Sequence, residues 1–181
     1  MRNFLPGCCV CLLLAGAASA LPAATLPRAS PEFALTQPGG STIPLSSLKG
    51  KVVVMEFLFA RSEHCMRVAQ LLNKLQAELG PQGLQSVGVV FDPPNAVTTG
   101  AQIGAMVNYF KLTYPMAYTS AASVDSYLGR APGEVLNIPQ IVVVDRKGTI
   151  RAASGGKGGD PKLEDQDALR ALLEGLLKEN N

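Results

Sequence analysis

The chain has 181 residues, 47% of them hydrophobic and 17% charged, which is enough apolar material for one domain of ordinary size with a sizeable core and a short processed segment. Its 16 basic and 14 acidic residues leave a formal charge of +2, with the basic residues scattered along the chain. That distribution excludes the basic footprint of a nucleic-acid binder or of a protein held to a membrane surface by charge.

The N-terminal residues 1–20 have the form of a secretory signal. Arg2 gives the positive start, residues 4–17 the short apolar stretch, and Ala18-Ser19-Ala20 the small-residue site, so cleavage is expected after Ala20. The stretch is short for a membrane span and is interrupted by Pro6, which argues against an uncleaved anchor. Cys8 precedes most of the apolar stretch, unlike the cysteine of a lipoprotein signal. On this reading the mature protein is exported, periplasmic or otherwise outside the cytoplasm, with no membrane anchor. Removal of the signal takes Cys8, Cys9 and Cys11 with it and leaves Cys65 as the lone thiol. An odd cysteine in an oxidising compartment points to intermolecular pairing or reactivity; a small buried hydrophobe without chemistry is the plainer alternative.

Residues 21–32, rich in Ala and Pro, read as a loose leader to a domain over 33–178. Phe33-Ala34-Leu35-Thr36 and Ser41-Thr42-Ile43-Pro44-Leu45 flank Pro38-Gly39-Gly40, a β-hairpin pattern. Lys51 to Phe59 is nearly continuous in apolar and β-branched residues, as expected of a central strand buried on both faces; Glu56 is the exception. A helix follows from Ser62, with Val68, Leu71, Leu72, Leu75 and Leu79 on one face and Gly80-Pro81 at its end. Leu84 to Phe91 is a second buried strand, broken by Asp92-Pro93-Pro94-Asn95. Ile103, Met106, Val107 and Phe110 mark another amphipathic helix.

Pro115 to Thr119 reads as a short strand and Ser123 to Gly129 as a short helix. Ile141 to Val144 and Thr149 to Ala153 form a hairpin about the turn Asp145-Arg146-Lys147-Gly148. Glu164 to Lys178 closes the domain as a helix with Leu169, Leu172, Leu173, Leu176 and Leu177 inward. The glycine-rich run Ser154 to Gly159 lacks the spacing of a phosphate loop and reads as a flexible connection. The order predicts an α/β domain: a mixed central sheet flanked by helices, with an N-terminal hairpin and a central helical insertion.

The chemistry gathers at the start of the first helix. Ser62 is suited to cap it, with Cys65 at the third helical position, where free N–H groups and the positive end of the helix dipole favour a thiolate. His64, the sole histidine, either supports a thiolate, acts as base, or has no role. His64, Cys65 and Met66 are all metal-ligand types, but successive helical residues point about 100° apart and do not converge on one ion, so no metal or other cofactor is expected. A carboxylate inside a buried strand is costly, so Glu56 requires a partner or a proton.

Leu48-Lys49-Gly50-Lys51 and the strand that follows resemble the opening of the TlpA/ResA-like and redoxin (AhpC/TSA-related) families of the thioredoxin-like superfamily, and the order of elements is similar from Phe33 to Leu177. The resemblance implies a thioredoxin-like fold and a Cys-x-x-Cys motif at the helix start. Here that motif is Ser62-Glu63-His64-Cys65, with the second cysteine kept and the first replaced by serine. Asn137-Ile138-Pro139-Gln140 matches the cis-proline position of those proteins, and a cis bond there leaves the backbone of Ile138 free to pair with an extended substrate segment. Glu56, six residues before Ser62, matches their buried acid.

Implied is a monothiol exchange protein working through Cys65 on a thiol- or disulfide-bearing protein or a small thiol of the cell envelope. Two alternatives stand beside it. Ser62-x-x-Cys65 also resembles the Thr-x-x-Cys motif of one-cysteine peroxiredoxins, although Leu58 stands where that family has proline; a binding module that has lost catalysis is the other. In the recessed position, burial behind Ser62 and an ionised Glu56 are expected to raise the Cys65 pKa above the free value of about 8.5.

Overall fold

The computed structural model describes residues 25–92, 97–130, 134–156 and 159–179. The expected signal sequence with Cys8, Cys9 and Cys11, leader residues 21–24, Pro93-Pro94-Asn95, and Lys157-Gly158 lie outside them. Among the described residues no helix is long and apolar enough to cross a membrane.

Among the described residues eight strands form one mixed sheet in the order β1-β8-β7-β4-β5-β6-β2-β3. The hairpin is β2 (Ala34–Thr36) and β3 (Thr42–Pro44), and the central strand is β4 (Val52–Leu58). Helix α1 (Glu63–Leu79) crosses to β5 (Leu84–Val90), parallel to β4, and α2 (Gly100–Phe110) leads to β6 (Met116–Tyr118), parallel to β5. After α3 (Ala121–Leu128) comes the antiparallel pair β7 (Gln140–Val144) and β8 (Thr149–Ala153), with β7 antiparallel to β4 on its other side. Helix α4 (Gln166–Lys178) completes the domain.

All of β4 is buried, and the period of two divides its residues between two cores. Val52, Val54 and Leu58 pack with α1, with Ile103 and Met106 of α2, and with Leu169, Leu173 and Leu176 of α4. Val53, Met55 and Phe57 pack with Phe33, Leu35, Val124 and Tyr127 on the other face. Each such side chain taken out of water contributes roughly 1.5–3 kcal/mol. Glu56 belongs by its position to the face of α1 and α4.

Three elements, β1, α3 and α4, differ from the sequence expectation, and α2 takes a start that the expectation left open. Within the presumed leader, Arg28–Ala29 is a strand, β1, paired antiparallel with β8. It satisfies edge N–H and C=O groups that β8 would otherwise leave open. Helix α2 begins at Gly100, where Thr99 and Gln102 form a capping box, and α3 begins at Ala121 behind its cap Ser120. The last helix begins at Gln166 because Asp165 caps it, accepting from the N–H groups of Asp167 and Ala168. Glu164 therefore lies in a separate helical turn, Pro161–Glu164, capped by Asp160. In the segment expected to be a flexible connection, Ser154 is buried and its Oγ accepts from the Ile141 N–H at 2.8 Å, tying the segment to the start of β7.

Candidate functional site

Three chain segments meet at one end of the central strand. The β4–β7 register ends at Phe57 opposite Gln140, so Ile138-Pro139 on one side and residues 59–62 on the other leave the sheet together. The Ile138–Pro139 peptide bond is cis, and Ile138 packs against both cores. The 59–62 turn is closed by the Ser62 N–H donating to the Phe59 carbonyl at 3.1 Å, and it delivers Ser62 as the N-cap of α1. The Ser62 Oγ accepts from the Cys65 N–H at 3.3 Å. The expected cap and the third helical position of the thiol are thus both present.

Cys65 is a free thiol with no solvent exposure. Burial pushes it above the usual thiol value; its hydrogen bonds with the Ser62 side chain and with the backbone at Phe59 oppose the shift, and Glu56 adds to it. The expectation named burial and Glu56 together, and of the two burial is the larger cause.

Glu56 is itself 0% exposed, and among the described residues neither of its carboxyl oxygens has a hydrogen-bond partner. Burial pushes its carboxyl well above the usual range, and Glu164 adds to the effect. Of the two courses that the sequence reading left to Glu56, a partner or a proton, burial without a donor favours the proton. Directly beside it on β5 is Gly88, and a Cβ there would lie 2.3 Å from the Met116 Sδ. The glycine thereby leaves room for Met116 and Tyr114 on the face that Glu56 shares.

His64 turns to Glu164, with 2.8 Å between Nε2 and Oε2. The ring is held by the turn before α4, a contact that the roles considered for His64, thiolate support, base or none, did not include. Two residues of this neighbourhood escaped sequence reasoning. Glu164 reaches it through that turn, and Tyr114 lies buried with its hydroxyl donating to the Ala69 carbonyl at 3.1 Å. Burial raises the Tyr114 phenol far above its usual value, with Glu56 adding to it. No sequence spacing links position 164 to 64. The signal for Tyr114 was only an aromatic residue ahead of a short strand. Among the described residues no group of three or more His, Cys, Asp or Glu is arranged to hold a metal ion.

The arrangement offers one recessed, protonated thiol, a carboxyl able to exchange a proton on the same face, and a proline loop alongside. A sequence profile of the AhpC/TSA family matches residues 27–153. Over 137 residues the chain is 23% identical to the thiol-disulfide oxidoreductase ResA of Bacillus thuringiensis (strain Al Hakam), covering 76% of this chain and 73% of that one, and equally identical to ResA of Bacillus anthracis. Its fold is similar to a thiol:disulfide interchange protein of the thioredoxin family from Chlorobium tepidum TLS, at 17% identity and a TM-score of 0.65 over 86% of this chain and 99% of that one. It is also similar to a secreted Mycobacterium tuberculosis disulfide oxidoreductase homologous to Escherichia coli DsbE, at 18% identity and a TM-score of 0.60 over 80% and 96% of the two chains. The fold is thioredoxin-like.

Proposed function

We propose, since the chain belongs to the AhpC/TSA family, that it is an exported monothiol exchange protein of the cell envelope that works through Cys65. The observation that carries this reading is the placement of one recessed thiol, at the third position of α1, on the same face of the sheet as the unpartnered acid Glu56. The names of the ResA relatives agree with it, and the signal-like residues 1–20 support export with loss of Cys8, Cys9 and Cys11.

In the proposed cycle an extended segment of the partner pairs with the backbone of Ile138 beside Pro139. Glu56, after releasing its own proton to solvent as the partner docks, takes the Cys65 proton, and the Cys65 Sγ attacks one sulfur of the partner's disulfide. The partner's S–S bond breaks, a Cys65 mixed disulfide forms, and the departing thiolate takes up the proton. A second, external thiol then attacks the mixed disulfide and releases Cys65, because Ser62 has no sulfur to do so. Burial and the raised pKa of Cys65 speak against a one-cysteine peroxidase, whose sulfur must be largely thiolate at neutral pH.

The test is Ser62→Cys in a chain whose Cys8, Cys9 and Cys11 are serine. It is expected to form an internal disulfide with Cys65 and to gain at least about tenfold in reduction of a model disulfide protein, since a resolving thiol is then supplied in place. The parent is expected to give only a mixed disulfide, seen by intact mass and lost in Cys65→Ser. Failure of the parent to form any mixed disulfide while folded overturns the proposal.

A further inference from the structure

A groove of about 430 Å³ opens on the outer side of α1 beside Ser62. Ala60, Met66 and Phe110 supply its apolar surface, Phe110 coming from α2. Ser62 is shared between this groove and the thiol, since its side chain hydrogen-bonds Cys65. A ligand in the groove therefore touches the residue that covers Cys65. The exposed Arg61 and Arg67 also line it, and neither has an ion-pair or hydrogen-bond partner among the described residues, whereas Arg130, Arg151 and Arg170 are all paired. Glu63 is the one acid on the lining, so the groove carries one excess positive charge. The N–H groups of the first turn of α1 add positive potential on the same side.

Resting on the exchange reading above, we propose that this groove selects the external thiol of that cycle: a low-molecular-weight thiol, or its disulfide, bearing carboxylates. The volume lies in the range of small-molecule sites and is too small for a protein surface. The unpaired guanidinium groups match carboxylates in bidentate geometry, and the apolar surface accepts the stem that carries the sulfur. Ser62 has no sulfur with which to resolve a mixed disulfide of Cys65, so the resolving sulfur has to come from the ligand. In the disulfide direction, Cys65–SH and RS–SR give Cys65–S–SR and RSH, the proton passing from Cys65 to the departing thiolate. In the thiol direction, RSH attacks the protein's sulfur in a mixed disulfide of Cys65 with a protein; the Cys65–S bond breaks, Cys65–SH is restored with the proton of RSH, and the product is the disulfide RS–S–protein.

The experiment uses the full chain with Cys8→Ser, Cys9→Ser and Cys11→Ser, so that Cys65 is the sole thiol. Mixed-disulfide formation is followed by intact mass with glutathione disulfide (anionic), 2-hydroxyethyl disulfide (neutral) and cystamine (cationic). Each rate is divided by that of the same disulfide with the urea-unfolded chain, which removes intrinsic reactivity. Glutathione disulfide is expected to exceed the neutral disulfide by about tenfold in low salt, and to lose that advantage as salt is raised. Arg61→Glu with Arg67→Glu is expected to reverse the order in favour of cystamine, while Lys49→Glu with Lys51→Glu, of equal charge change but outside the groove, leaves it intact. Equal normalised rates for the three disulfides, or equal effects of the two charge reversals, overturn the inference and leave exchange at Cys65 standing. Reaction with none of them in the folded chain overturns both.

Discussion

A fully buried carboxyl with no hydrogen-bond donor at either oxygen among the described residues, as at Glu56, is costly in the folded chain once it loses its proton. Its folded pKa lies above the ordinary value of 4.5, so above that pH the folded chain binds more protons than the unfolded one. Stability contributed by this residue is therefore intact at acid pH and declines as pH rises from about 4.5 toward the folded pKa, by at most about 1.4 kcal/mol per pH unit. Glu56→Gln removes the dependence. Denaturant titrations of parent and variant are expected to agree near pH 4 and to separate with rising pH, the variant becoming the more stable; parallel curves would show that Glu56 does not titrate this way. The same variant is expected to lower the Cys65 pKa, read from the pH dependence of alkylation, because it removes a negative charge that forms on the same face. That shift is expected to be smaller than the one burial imposes.

At the scale of elements, the site depends on two short caps that follow the glycine-rich segment. Asp160 accepts from the Lys162 N–H and closes the turn that carries Glu164, and Asp165 accepts from Asp167 and Ala168 at 3.0 Å each to start α4. Asp165→Ala is expected to cost about 1 kcal/mol, measured by chemical unfolding, because it orphans those N–H groups and removes a negative charge from the positive end of the helix. An unchanged midpoint would mean that water replaces the cap without loss.

The legibility of these elements in sequence follows their length and period. Helix α1 was readable at both ends, from Ser62 and from Gly80-Pro81, and β4 from its apolar run. The capping box Thr99/Gln102 was equally present in the sequence, yet the apolar residues of α2 begin only at Ile103, so periodicity alone does not mark where that helix starts. Glu164 and Asp165 are adjacent acids at a helix start, and only the backbone decides which one caps and which one turns toward His64. β1, two residues long, is below the length at which alternation has meaning. Within the site, Cys65, Ser62, Glu56 and Pro139 were reachable from local spacing and family resemblance. The Glu164 and Tyr114 contacts are products of tertiary packing, with no local pattern to announce them.

For the molecule as a whole, the N-terminal segment is part of the structure. Arg28 donates from Nη2 to the Tyr127 carbonyl at 2.8 Å, Ser30 pairs with the Tyr127 hydroxyl at 2.9 Å, and the Ser30 N–H donates to the Gly148 carbonyl at 2.8 Å. A chain beginning at Phe33 loses these and the pairing of β1 with β8. Compared with one beginning at Thr25, it is expected to be less stable by about 2–4 kcal/mol in chemical unfolding, at roughly 0.5–1.5 kcal/mol per hydrogen bond. Equal stability would make the segment a passive leader after all.

The position of β4, paired on both sides and covered on both faces, also bears on time. Amides at the centre of such a sheet exchange with solvent only when the whole domain opens, whereas frayed ends and loops exchange through small local openings. Glu56 sits in the middle of that strand, so backbone breathing does not bring water to its carboxyl. A change of charge at Glu56 therefore has to be met by side chains on its own face of the sheet, while the backbone of β4 stays paired.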